Sequence, residues 1–150
     1  MDELRELYQA TILDHNRKPR NFRVIEEANH HADGHNPICG DKLVVFLNLT
    51  EGRVTDVAFQ GTGCAISVAS ASLMTDFARG KTLPEIEAEF ERFHHMVTSS
   101  PNSQIDTGAL GKLAVFAGVR EFPMRVKCAT LAWHTLRAAL DANGSVAHTE

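Results

Sequence analysis

Three cysteines and one aspartate carry the strongest chemical signal in this sequence. Cys39 lies in Asn36-Pro37-Ile38-Cys39-Gly40-Asp41, Cys64 follows the turn Gly61-Thr62-Gly63, and Cys128 comes about one turn of chain after Pro123. Each falls at the boundary of an expected element, whereas a core cysteine more often faces inward from the middle of one. A helix start presents unpaired N–H groups and a partial positive charge, which favour a thiolate. Cys64 and Cys128 are both read at such starts, and Arg125 and Lys127 add positive charge beside Cys128. Asp41 places a carboxylate two residues from Cys39. If that loop meets both helix starts, three sulfurs and one oxygen surround a tetrahedral ion, a donor set that zinc accepts. Plainer readings stay open beside this one. The thiols could be small buried hydrophobes, Asp41 a turn cap, and Arg125 an ordinary surface ion-pair residue.

Spacing does not decide among them. There is no C-x2-C pair of the zinc-finger kind, and no H-x-E…P-C-x-x-C signature of the zinc deaminases. An odd number of cysteines cannot all pair within the chain, so free or metal-bound thiols in a reducing compartment are expected. His30, His31 and His35 sit in a polar stretch without helical ligand spacing and read as solvated. His94 and His95 are adjacent on an expected helix and point apart, and His134 reads as a packing or surface residue. Ser67, Ser70 and Ser72 lack a partnering His–Asp pair and read as small residues that permit close helix packing.

The elements that must position these residues follow from periodicity. Residues 2–15 place Leu4, Leu7, Tyr8, Thr11 and Ile12 on one helical face, and Lys18-Pro19-Arg20-Asn21 ends the helix. Residues 24–29 are read as an edge strand. From 42 to 60 the period changes to two, with Glu51-Gly52 as the turn of an antiparallel hairpin. Residues 65–79 form a helix closed by Gly80. Thr82 and Glu85 make a capping box, with Pro84 in the first turn of a helix over 83–97. Residues 99–103 are a loop, 107–119 a buried helix, and Phe122-Pro123 an interruption. The last helix is read over 127–142, ended by Asn143-Gly144. Strands first and helices afterwards predict an α+β fold, a small antiparallel sheet of about three strands with helices on one face. Residues 1–142 are read as one domain and 143–150 as a mobile tail.

Composition sets the outer limits. The chain has 150 residues, 43% apolar and 23% charged, with a formal net charge of −4, as in an ordinary globular domain. That charge offers nothing to nucleic acid or an anionic membrane. The start is acidic where a signal peptide would be basic, and no apolar run is long enough to span a bilayer. A cytoplasmic location is expected.

The three cysteine segments together resemble those of the IscU/SufU superfamily. They are Asn36-Pro37-Ile38-Cys39-Gly40-Asp41, Gly61-Thr62-Gly63-Cys64-Ala65-Ile66-Ser67 and Arg125-Val126-Lys127-Cys128-Ala129. Leu7-Tyr8, Ile12-Leu13-Asp14-His15 and Pro19-Arg20-Asn21 resemble its N-terminal signature, so the likeness runs from about residue 4 to residue 140. IscU scaffolds carry a histidine before the last cysteine, where this chain has Lys127, and lack the longer stretch that here includes residues 82–103. Both features are similar to the zinc-dependent sulfurtransferase branch, SufU. That resemblance implies zinc held by Cys39, Asp41, Cys64 and Cys128. It implies a SufS-type cysteine desulfurase as sulfur donor, Cys39 as the acceptor, and a SufBCD-like scaffold as destination. Arg125 would support Cys39 or Asp41. The alternatives are a scaffold that carries a transient iron–sulfur cluster on the same ligands, and a protein whose zinc only staples the fold. A zinc hydrolase is disfavoured, because four protein ligands leave no open coordination position.

Overall fold

The computed structural model describes residues 2–104, 108–141 and 145–148, with the side chains of residues 6, 8–104 and 108–141. Thr107, the Asn143-Gly144 stop and the side chains of Leu4 and Leu7 lie outside that description. Strand β1 (His30–Asn36), β2 (Asp41–Thr50) and β3 (Arg53–Thr62) form a consecutive antiparallel sheet. A short β4 (Ser145–His148) runs parallel to β1, which gives the order β3-β2-β1-β4. Part of the segment read as a tail is therefore a strand. Helices α1 (Asp2–Arg17), α2 (Ala65–Ala78), α3 (Leu83–Thr98) and α4 (Pro123–Asp141) complete the fold, with a 3-10 segment at Gly108–Glu121. No helix among the described residues is long and apolar enough to cross a membrane.

The hairpin of β2 and β3 follows the alternation read from sequence. Leu43, Val45 and Leu47 are buried, and Glu51 and Gly52 turn the chain with φ of 52° and 76°, the double positive φ of the tightest hairpin turn. The register slips at Asn48/Leu49, which explains the imperfect alternation of β3. Helix α4 crosses β1 and β2 and α2 lies on β3, so the core forms between one sheet face and the helices. Trp133, Phe93 and Phe116 fill its centre.

Three sequence expectations change. Residues 24–29 form no strand; the partner of β2 is the histidine-rich segment His30–Asn36. Its inward positions are Ala32, Gly34 and Asn36, small because α4 passes close above them. A Cβ on Gly34 would overlap Thr135 Oγ1 and come within 3.2 Å of Leu131 Cδ1. The segment read as a buried helix over 107–119 is a 3-10 run broken at Gly111, where φ is 55° and ψ −125°. Helix α4 begins at Pro123 rather than at 127, because a proline at the first helical position loses no hydrogen bond.

The N-terminal segment is fastened to α2. His15, only 4% exposed, shares a 2.7 Å hydrogen bond with Ser72 Oγ, which also accepts the Arg20 N–H at 2.8 Å. Burial pushes the His15 imidazole below its ordinary pKa. Asn21 exchanges backbone contacts with β3: Phe59 N–H donates to its carbonyl at 3.0 Å. Ser70 donates to the Ala129 carbonyl at 2.6 Å, tying α2 to α4. The serines of α2, read as small residues that permit close packing, are all buried, and Ser72 also has His15 as a hydrogen-bond partner.

The close passage at Gly34 generates a test. Gly34→Ala should destabilise the fold by about 1–3 kcal/mol in urea unfolding, the usual cost of overpacking. Thr135→Ala removes the clashing hydroxyl, so the double variant should lose less than the sum of the two single changes. Strict additivity would mean that α4 does not pack on Gly34 in this way.

Candidate metal centre

Two local devices bring the first donors together. Asn36, the last residue of β1, lies directly opposite Asp41, the first of β2. The connection Pro37-Ile38-Cys39-Gly40 closes with the Gly40 N–H donating to the Asn36 carbonyl at 2.9 Å. Gly40 sits at φ 74°, a left-handed conformation that favours glycine. Cys39 is therefore exposed at a hairpin tip, while Asp41 has no exposed surface. From the opposite side α4 presents Cys128. Cys39 Sγ, an Asp41 carboxylate oxygen and Cys128 Sγ lie within 4.8 Å of one another.

Cys64 joins them through Asp41 and Cys128. Its backbone N–H donates to Asp41 Oδ1 at 2.9 Å, and Cys128 is the neighbour that acts most on its thiol. The approach requires Gly63, because a Cβ there would stand 2.6 Å from Asp41 Oδ1. Cys64 is also the N-cap of α2, its sulfur accepting the Ser67 N–H at 3.4 Å. Asp41 Oδ2, by contrast, is buried without a partner. Of the four residues singled out from sequence, Cys39, Asp41 and Cys128 form one cluster, and Cys64 lies outside it, joined to Asp41 through its backbone N–H.

The two adjoining thiols divide their protons unequally. The Cys64 thiol is lowered from its ordinary 9.0 to about 6, first by the hydrogen bond from Cys128 and then by the Ser67 and Ile66 N–H groups; burial and the Asp41 charge oppose the shift. The Cys128 thiol is raised, first because it donates to Cys64, then by burial and by its contacts with Asp41 and Cys39. The expectation that a helix start would lower the Cys128 pKa is overturned. Its helix starts at Pro123, so Cys128 lies beyond the first turn, where the free N–H groups and the dipole no longer act.

Arg125 is placed away from the donors. Its guanidinium stacks on the Phe122 ring at 4.4 Å, and among the described residues it makes no hydrogen bond to Cys39 or Asp41. No described histidine joins a cluster of three or more metal-ligating groups. His94 and His134 instead flank Phe90, with ring centroids 5.8 and 5.3 Å away. Sequence reading missed Asn36, whose amide Nδ2 lies 3.9 Å from Cys128 Sγ. Its place in the first cysteine segment was the one available signal.

The family described as "NifU-like N terminal domain" matches residues 7–141. The chain is 35% identical over 148 residues to "Iron-sulfur cluster assembly scaffold protein IscU" of Streptococcus pyogenes serotype M1, covering 99% of this chain and 91% of that one. It is 38% identical over 130 residues to "Zinc-dependent sulfurtransferase SufU" of Bacillus subtilis (strain 168), covering 87% and 86%. A Fervidobacterium islandicum AW-1 crystal structure, described as a scaffold protein for the SUF system (FiSufU), superposes with a TM-score of 0.80 at 34% identity. That superposition covers 87% of this chain and 94% of the other.

The proton distribution gives a measurable reactivity. A thiolate, not a thiol, attacks iodoacetamide, so labelling of Cys64 in metal-free protein should climb as pH rises through about 6 and level off by neutrality. Cys128 should stay slow until strongly alkaline pH. A Cys64 rate that rises only through about 8.5, the free-thiol value, would mean that the Cys128 hydrogen bond is not formed.

Proposed function

The chain belongs to the NifU-like N-terminal domain family, and on that premise we propose that it serves iron–sulfur cluster assembly as a zinc-dependent sulfurtransferase. The observation that carries the reading is the site itself. Three ligating atoms from Cys39, Asp41 and Cys128 converge within 4.8 Å, Cys64 adjoins them, and one Asp41 carboxylate oxygen is buried without a hydrogen-bond partner among the described residues. A tetrahedral ion with metal–sulfur bonds of about 2.3 Å sets its donors about 3.8 Å apart, so Cys39, Asp41 and Cys128 need little movement to bind one, and Cys64 would move in to complete the set. Three sulfurs and one oxygen suit zinc, and Asp41 Oδ2 is a natural fourth donor. Zinc would hold the site's thiols as thiolates and shield them from reaction until one is released.

The residues then divide the work. Cys64 and Cys128 are carried by helices and Asp41 by a sheet position without exposed surface, so these three stay. Cys39, on an exposed four-residue connection, can swing out when a desulfurase side chain takes its place. Its thiolate attacks the outer sulfur of the desulfurase persulfide. A new S–S bond forms on Cys39 as the persulfide S–S bond breaks, and the desulfurase cysteine leaves with the electron pair. Passage of that sulfur to a SufBCD-like scaffold would regenerate the Cys39 thiol. The donor is a cysteine desulfurase of the SufS type. Arg125, exposed on Phe122, is free to meet the partner protein rather than the metal.

The second reading is a scaffold that builds a transient cluster on the same ligands, favoured by the Streptococcus pyogenes relative's description. Two features support the transferase. Lys127 stands before the last cysteine, and a protonated lysine cannot ligate iron. Residues 82–103 fold as the capped helix α3 and its following loop, the stretch that resembles the SufU branch.

Steady-state alanine production by a cognate SufS-type desulfurase, with the zinc-loaded protein and a reductant, separates them. A large rise that falls back to the rate of the desulfurase alone in Cys39→Ala is expected. No rise, together with an iron- and sulfide-dependent cluster absorption, would replace the transferase by the scaffold.

A further inference from the structure

Asn36 has no exposed surface and no place in the ligand set. Its Nδ2 points to Cys128 Sγ across 3.9 Å, and its Oδ1 is buried without a partner. Its inward neighbours are Gly34 on the same strand and the buried Asp41 directly opposite, with the apolar Leu43 and Val45 further along β2. A primary amide sealed from water is costly unless something there uses its polarity. An N–H group directed at a thiolate does so: it stabilises the anion, draws charge from the sulfur and makes it a poorer nucleophile.

The three sulfurs differ in this respect. Cys64 Sγ receives the Ser67 N–H and Cys128 Sγ the Asn36 amide. Among the described residues no N–H group reaches Cys39 Sγ. We propose that Asn36 is a positioning residue that fixes Cys128 as a retained ligand, so that release from the metal falls to Cys39. The proposal rests on the metal-site reading above and adds the device that chooses which thiolate leaves.

The test uses the full chain loaded with cobalt(II) in place of zinc. Two readouts are taken: the thiolate-to-cobalt charge-transfer band, and the site of iodoacetamide labelling mapped by mass spectrometry. In the unaltered chain label should enter first at Cys39. Asn36→Leu keeps the volume and removes the donor. With circular dichroism unchanged, its band should move to longer wavelength, as the sulfur becomes a stronger donor, and the Cys128 share of label should rise several-fold. A folded Asn36→Leu with the same band and the same label distribution would overturn the proposal. If that variant does not fold, the isosteric Asn36→Asp, which also lacks the N–H, is judged by the same two criteria. Absence of any thiolate–cobalt band in the unaltered chain would instead sink the metal-site reading, and this proposal with it.

Discussion

The carboxylate of Asp41 is held without exposed surface between the start of β2 and the start of α2. An ionised group so placed costs several kcal/mol unless it is paired. One oxygen accepts the Cys64 N–H, and the second is buried without a hydrogen-bond partner among the described residues. Much of the chain is arranged around that contact. Gly63 must be a glycine to let it form, Cys64 becomes the N-cap of α2 because of it, and α2 then runs under the N-terminal segment. Along α2, Ser70 and Ser72 are small enough to admit α4 on one side and His15 with Arg20 on another. A buried charge at one end of a helix thus fixes where the rest of that helix meets its neighbours.

Features encoded over a few residues were legible in the sequence. The capping box of Thr82 and Glu85 appears as read, both bonds formed, and the hairpin over 42–60 keeps its alternation and its turn. Features that depend on packing were not. His30–Asn36 carries no β-branched residue and gives no strand signal, because its inward side chains are cut down to fit beneath α4. Pro123 was read as a break, although its chemistry suits a helix start equally well; only the residues that follow it in space decide. The convergence of the donors was visible in part. Cys39 and Asp41 share a turn, but no spacing rule links them to Cys64 or Cys128, and it was the resemblance of whole segments that joined them. The proton balance between Cys64 and Cys128 lay beyond reach, since it depends on a contact between residues 64 positions apart.

That contact also bears on how a metal would bind. In the metal-free site the pair keeps one proton through the neutral range, on Cys128, because two adjacent thiolates beside a carboxylate repel each other. A divalent cation among these donors reverses the balance, favouring the fully ionised state, so binding expels the proton and becomes tighter as pH rises.

On the proposed reading, the choice of sulfur acceptor follows from what each thiol would have to disturb in order to move. Cys128 is 3% exposed, on a helix whose neighbouring residues Ala129, Leu131 and Ala132 have no exposed surface. Withdrawing it would move α4 against the sheet and open the core. Cys64 caps α2, and rotating its side chain away would release the Ser67 N–H that its sulfur accepts. Cys39 needs only a rotation of its side chain or a local change in a four-residue turn that is already exposed. Its neighbour Ile38 is 59% exposed, so the turn anchors nothing on its outer side. Cys39 and Cys64 are both exposed and Cys128 is buried, so accessibility sets Cys128 apart, and what separates Cys39 from Cys64 is the helix cap that Cys64 forms.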